Sequence, residues 1–299
     1  MALSIILVIA FISISIINYR TTRYAVRQEI VFSSLPLLRE NIYSEIRRDF
    51  IPSINRASLM ANNTFLIDWT LNGEQNEAQV IQFLKEIQRK YGYFSTFFVS
   101  GKTNKYYHYD GVLKTVSRDD SHDAWFFDFR ESERDVDLDV DSNQAADNVL
   151  TIFINYRVED YQGNFLGVTG VGIKMNNFTA TLRNKQQKYN RTIFLVDENG
   201  TIQAHPDKEL IGTVSLQEHT GIQQIADKIL TQSEEPLNDS YTKAGNRVLV
   251  TSRYMPNLSW FLIVEQDEAE QLLSARRNFI RTILIGLVPS LFIILLLII

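Results

Sequence analysis

Apolar and polar positions follow three patterns along this chain: unbroken apolar runs at both ends, helical periodicity behind the first, and strand-like segments between. Ala2–Ile17 is apolar apart from three serines, and Thr282–Ile299 has only Thr282 and Ser290 as polar side chains. Each approaches the roughly 20 residues that cross a bilayer as a helix. From Tyr19 to about Met60 the spacing is helical. Leu35, Leu38, Ile42, Ile46, Phe50 and Ile54 recur every three or four residues and mark one apolar stripe. Roughly 40 helical residues would reach about 60 Å. Pro36 and Pro52 are expected to kink or interrupt this helix, because each lacks an N–H and carries a ring that crowds the preceding turn. The stripe is expected to face a sheet, with a dimer seam as the alternative use.

A second amphipathic helix is expected over Glu74–Lys90, with Val80, Phe83, Leu84 and Ile87 inward and Gln82, Lys85, Glu86 and Arg89 outward. β-rich runs follow at Tyr93–Ser100, Lys105–Lys114, Val149–Val158 and Phe165–Met175. The stretch Ser117–Asp147 between them shows few regular signals, and irregular segments of that length inside a compact unit are usually functional or disordered. Asn176–Tyr189 reads as a helix that closes a first unit. A second unit opens at Thr192, turns at Asp197-Glu198-Asn199-Gly200 and continues through strands at Arg247–Tyr254 and Ser259–Glu265. The expected organisation is a transmembrane helix at 1–18, a stalk helix at 19–62, a first α+β unit at 63–190, a second at 191–266, and a linker helix with a second transmembrane helix at 267–299.

Composition narrows the function. Of 299 residues, 45% are hydrophobic and 22% charged, so a packed core is expected rather than disorder. The net charge of −5 and the lack of any basic stripe exclude nucleic acid as the expected partner. With no cysteine, disulfides, thiolate catalysis and cysteine-ligated zinc are excluded. His108, His122, His205 and His219 are scattered without metal-ligand spacing, and no nucleophile elbow, P-loop or dinucleotide fingerprint occurs. No catalytic residue, metal or cofactor is therefore expected. The acidic run Asp135–Asp141 lacks the glycine and distal glutamate of a calcium-binding EF-hand.

The first apolar run is followed by Asn18-Tyr19-Arg20, without a small-x-small cleavage site, which favours an uncleaved anchor over a signal peptide. Tyr19 and the arginines at 20, 23, 276, 277 and 281 suit a membrane interface. All of them lie on the side of the central region, which by charge bias would place it in the cytoplasm. Long domains translocate largely regardless of charge, however, so an extracytoplasmic placement is kept. The second apolar run reaches the last residue, so the chain is expected to be part of a longer protein.

Two phrases carry a resemblance: NNTFLIDWTLNGE (Asn62–Glu74) and LTIFINYRVEDYQGNFLGVTGVGI (Leu150–Ile173). Over about Tyr19–Ala275 the chain resembles the double Cache family of bacterial receptor sensor domains. The resemblance implies an α+β fold of two tandem PAS-like antiparallel-sheet modules on a long N-terminal helix, flanked by two transmembrane helices. It further implies a bacterial inner-membrane receptor, with the sensor in the periplasm or outside the cell, a homodimer, and a cytoplasmic output domain such as a diguanylate cyclase.

In amino-acid-binding members the distal pocket holds Arg-x-Trp-Tyr, then Tyr-x-Asp, then an aspartate on the last distal strand. Here the first phrase is Asp123-Ala124-Trp125-Phe126, the second Asp139-Val140-Asp141, and Gly172 falls where the last aspartate would be. The arginine that would clamp a ligand carboxylate is replaced, and the acid that would receive its amine is missing. The candidate site is therefore a distal pocket with Trp125 and Phe126 as an aromatic wall and Asp123, Asp139 and Asp141 as acceptors, suited to an amine or other cationic ligand. Like charges so close repel, so Arg130, Arg157 or His108 is expected to pair with some of them. Tyr106, Tyr107, Asn155 and Tyr156 are candidate lining residues. Two further uses stay open: a solvated acidic strand edge, and a protein-interaction domain without a metabolite.

Overall fold

A computed structural model describes the backbone of residues 2–146, 148–231 and 235–298, and within these the side chains of residue 6 and of 8–286 other than 274. Helix α1 (Ala2–Glu29) passes through a π-helical turn, Ile30–Ser34, directly into α2 (Leu35–Ala61). The expected break at Pro36 is thus a change of winding. The Leu35 N–H reaches back to the Ile30 carbonyl, a widened turn that admits the proline ring in the first turn of α2. At Pro52 the helix continues uninterrupted, packed on either side by buried Phe50 and Ile54. All six predicted stripe residues are buried. The stripe is core.

Short helices α3 (Thr64–Leu71) and α4 (Glu77–Tyr91) lead into a first sheet built from β1 (Ser95–Ser100), β2 (Lys105–His108), β3 (Gly111–Thr115), β4 (Val136–Asn143), β5 (Val149–Glu159) and β6 (Phe165–Lys174). Its order is β3-β2-β1-β6-β5-β4, and every pairing is antiparallel. The run Lys105–Lys114 is two strands, not one. A tight turn at Tyr109-Asp110 splits it, and Gly111 at φ +146° is the residue that allows the reversal. The weakly patterned stretch 117–147 supplies the edge strand β4 and helix α5 (Ala124–Glu131), which lies on the sheet face away from α2.

After α6 (Met175–Tyr189), a second sheet takes the order β8-β7-β11-β10-β9. Its strands are β7 (Thr192–Asp197), β8 (Ile202–Ala204), β9 (Leu237–Lys243), β10 (Asn246–Met255) and β11 (Trp260–Asp267), with the one-turn helix α7 (Ala226–Ile229) before β9. One hydrophobic core joins α2 to both sheets, with Ile152, Ile154 and Val171 from the first and Leu195, Leu262 and Val264 from the second. Phe50 sits at the junction. Its ring packs edge-on against Phe178 of α6 at 5.2 Å and Trp260 of the second sheet at 6.4 Å.

The last helix, α8 (Glu268–Ile298), runs back along α1. Arg27 grips Glu268 through both its Nε and Nη2, at 2.6–2.9 Å. The Tyr19 and Phe279 rings meet tilted, their centroids 4.7 Å apart. Gly286 lies so close to Phe11 that an added Cβ would come within 2.1 Å of its ring. Among the described residues no helix is long and apolar enough to cross a membrane. Residues 2–5, 7 and 287–299 of the two apolar runs lie outside the described side chains.

Candidate functional site

The face of the first sheet opposite α2 carries Phe97 and Val99 of β1, Tyr106 of β2 and Val168 of β6, packed under Phe126, Phe127 and Phe129 of α5. Strand pairing fixes which residues join them. Asp139 pairs with Phe153 and Asp137 with Asn155, so the alternating aspartates point to this face while Leu138 points into the core behind. Between the β4 edge and α5 lies a cleft with about 430 Å³ of space continuous with solvent. Its free room at the centre is about 30 Å³, enough for a solvent-sized group.

Six of the ten residues expected at a site line this cleft: Tyr106, Asp123, Trp125, Asp139, Asp141 and Asn155. Trp125 is held edge-on to Phe97 at 6.1 Å and to Phe126 at 5.8 Å. Tyr106 is 8% exposed. Burial, with Asp123 and Asp141 nearby, pushes its phenol well above the ordinary range, so it stays protonated. The Asp123 carboxylate is occupied. Lys114 Nζ lies 2.6 Å from its Oδ1, and the Ser117 N–H donates to its Oδ2 at 2.9 Å. Asp141 Oδ1 accepts from the Ser142 N–H. Asp139 is pushed up to about 6, first by burial and then by Asp141 and Asp137. Neither Asp139 nor Asp141 has a cation at ion-pair distance among the described residues.

The other four lie elsewhere. Phe126 is fully buried on the sheet-facing side of α5, so it is packing behind the wall. His108 shares the sheet face but sits outside the cleft, 4% exposed, with Nε2 3.1 Å from Ser95 Oγ. Burial holds it down to about 4, so it is neutral at pH 7 and pairs with no carboxylate of the site. Arg130 is exposed and stands over the Phe165 ring at 5.4 Å. Tyr156 falls one residue out of register with Asn155 and packs on the core behind the sheet. Tyr107 likewise faces the core, its hydroxyl donating to Glu74 Oε2 at 2.9 Å. Arg157 is spent on carbonyls at the end of α5 and in the loop to β4, including those of Arg130 and Ser132.

Sequence reasoning missed Lys114, Asn143, Phe97 and Phe153. Phe97 and Phe153 were legible in alternation once their strands were assigned. Lys114 and Asn143 were not, since only tertiary pairing brings β3 and the end of β4 to the cleft. Asn143 Nδ2 and Asn155 Oδ1 are both buried without a hydrogen-bond partner. Such orphaned groups cost roughly 1–3 kcal/mol each, which a bound group can recover.

The Cache domain family model matches residues 27–275, most of the chain. The chain belongs to this family, in its double form. Solved structures of the same fold include the ligand-binding domain of the Pseudomonas fluorescens chemoreceptor CtaA in complex with L-isoleucine, at 19% identity and a TM-score of 0.60, covering 84% of this chain and 98% of that one. The sensory domain of the Campylobacter jejuni chemoreceptor Tlp3 matches at 14% identity and 0.55, covering 84% and 97%. The ligand-binding domain of Mlp24 with asparagine matches at 15% and 0.54, covering 86% and 99%. As a Cache domain the chain is a sensor module, not a catalyst by itself. Asp123, expected from the resemblance at the position of the pattern's arginine, is tied to Lys114. Gly172, expected at the position of its strand aspartate, is closed in: an added Cβ would stand 2.8 Å from Ser95 Cβ and 2.9 Å from Thr151 Cγ2.

Proposed function

We propose that this Cache domain is the extracytoplasmic sensing module of a transmembrane receptor and that its distal cleft takes a small amine or other organic cation. One observation carries the reading. Asp139 and Asp141, without paired cations among the described residues, share the cleft with the aromatic rings of Trp125 and Tyr106. A cation gains there from both the carboxyl groups and the aromatic quadrupoles. The enclosed Gly172 and the Lys114–Asp123 pair weigh against an α-amino acid in the same orientation as in relatives that keep the arginine.

The relay reading rests on α1 and α8, which lie side by side and are joined by Arg27–Glu268. With the apolar runs Ala2–Ile17 and Thr282–Ile299 in the bilayer, ligand binding biases the two arrangements of this helix pair, and α8 carries the bias to a cytoplasmic output domain. A diguanylate cyclase is the favoured output on sequence resemblance, and a homodimer is the favoured assembly. A ligand shifts such an equilibrium only by its differential affinity for the two arrangements.

The narrow free room of about 30 Å³ supports a second reading, an interaction domain whose cleft is filled by its own side chains. Calorimetry of the full chain in nanodiscs against amines, amino acids and carboxylates separates the two. The sensing reading requires an amine that binds and loses at least tenfold in affinity with Trp125→Ala. An unchanged affinity in that variant removes the site assignment, and silence across the amines leaves the interaction-domain reading.

A further inference from the structure

The second sheet has a cavity of its own, on the face away from α2, below β7 and β11 and beside the first turn of α8. It holds about 730 Å³ of space continuous with solvent. Arg191, just before β7, lines it and is only 8% exposed. Its Nη2 donates to Ser34 Oγ at 2.8 Å and its Nη1 to the Tyr189 carbonyl at 3.3 Å, while its Nε is buried without a partner. No carboxylate lies at ion-pair distance from this guanidinium among the described residues. A buried cation without a counter-charge is costly and rarely kept without a use.

Gln186 and Glu265 face the same space, along with the charged side chains of Lys243, Asp267 and Glu270. Gln186 Oε1 on α6 is buried and unpartnered. Glu265 is 7% exposed, and Tyr241 donates to it at 2.8 Å. Glu265 pairs across the sheet with Thr192, the residue after Arg191. Arg191, just before β7, and Glu265, on β11, both line this one cavity, yet do not bond each other. Such an arrangement fits a ligand that brings an anionic group to one side and a donating group to the other.

We propose that this membrane-proximal cavity is a second binding site, taking a small zwitterion with its anionic end on Arg191 and its ammonium end on Glu265 and Gln186. The site is independent of the distal cleft. Its occupant touches residues that also hold Ser34 in the π-helical turn, so binding here acts directly on the helix that joins the sensor to α1.

The test uses the full chain carrying Trp125→Ala in nanodiscs, so that the distal wall is gone and each site is read separately. Calorimetric titrations use glycine, β-alanine and 4-aminobutanoate, which step the separation of the two charges, with acetate and ethylammonium as half-ligands. The expected result is that at least one of the three zwitterions binds with a Kd below 10 mM by order of magnitude, about tenfold or more tighter than either half-ligand. Arg191→Gln weakens it at least tenfold. Should that variant fail to fold, Gln186→Leu, which removes the unpartnered acceptor, weakens it about fivefold or more. The proposal is overturned if none of the three zwitterions binds, if acetate binds as well as they do, or if binding survives unchanged in whichever of the two variants folds.

Discussion

Asp139 is held by the fold in a state it would not choose in water, and removing that penalty is measurable. Its carboxyl is pushed up to about 6 in the folded chain, against an ordinary value of 3.8, because it is half-buried beside Asp141 and Asp137. A folded value above the unfolded one means that ionisation disfavours the fold. The penalty is absent below about pH 4, grows between 4 and 6, and is complete above 6. At 1.36 kcal/mol per unit, the full penalty is at most about 3 kcal/mol. Part of it is shared with Asp141 and Asp137, so about 1–2 kcal/mol is expected for the single site. Asp139→Asn keeps the shape and removes the charge. It should therefore stabilise the chain by that amount at pH 7.5, raising Tm by roughly 2–8 °C. At pH 3.5, where Asp139 is mostly protonated in the unfolded chain as well as the folded one, the gain should nearly vanish. Paired thermal melts at the two pH values measure both numbers. An equal gain at both pH values, or a loss at pH 7.5, would refute the argument that burial and like charge set this group. The same variant should weaken amine binding, since the strain is kept for the charge it presents.

His108 gives the opposite slope. Its folded value, near 4, lies below the ordinary 6.5 because burial disfavours the charged ring. Stability is therefore full above about pH 6.5 and lost as pH falls toward 4. His108→Gln should flatten that acid limb in pH-dependent melts, and an unchanged limb would remove His108 as its source. Phe50→Ala removes the ring shared by α2, Phe178 and Trp260, and should cost about 3–5 kcal/mol in urea titrations. A loss under 1 kcal/mol would mean that this junction is not packed as described. Gly172→Ala forces a methyl against Ser95 and Thr151 and should cost about 1–3 kcal/mol by overpacking. A neutral variant would show that the space beside Ser95 and Thr151 is not closed as described.

The sequence by itself determined the periodic elements. Leu35 through Ile54 could be placed on one face because a 3.6-residue repeat leaves a single stripe to bury, and all six are buried. Strand runs such as Val149–Val158 and Phe165–Met175 were legible for the same reason at period two, and the two phrases that resemble Cache sensors gave the family. What needed tertiary structure was everything set by pairing between distant segments. That Trp125 lines the cleft while its neighbour Phe126 is packing depends on how α5 lies on the sheet. That Asp123 is already paired depends on β3 delivering Lys114 beside it, and that His108 is neutral and apart depends on its burial next to Ser95. The aspartates of β4 share a face by alternation, but only its position as the edge strand under α5 turns that face into a cleft. Local spacing fixes which residues share a face. Which faces meet is decided by contacts tens of residues apart, and no local pattern encodes these.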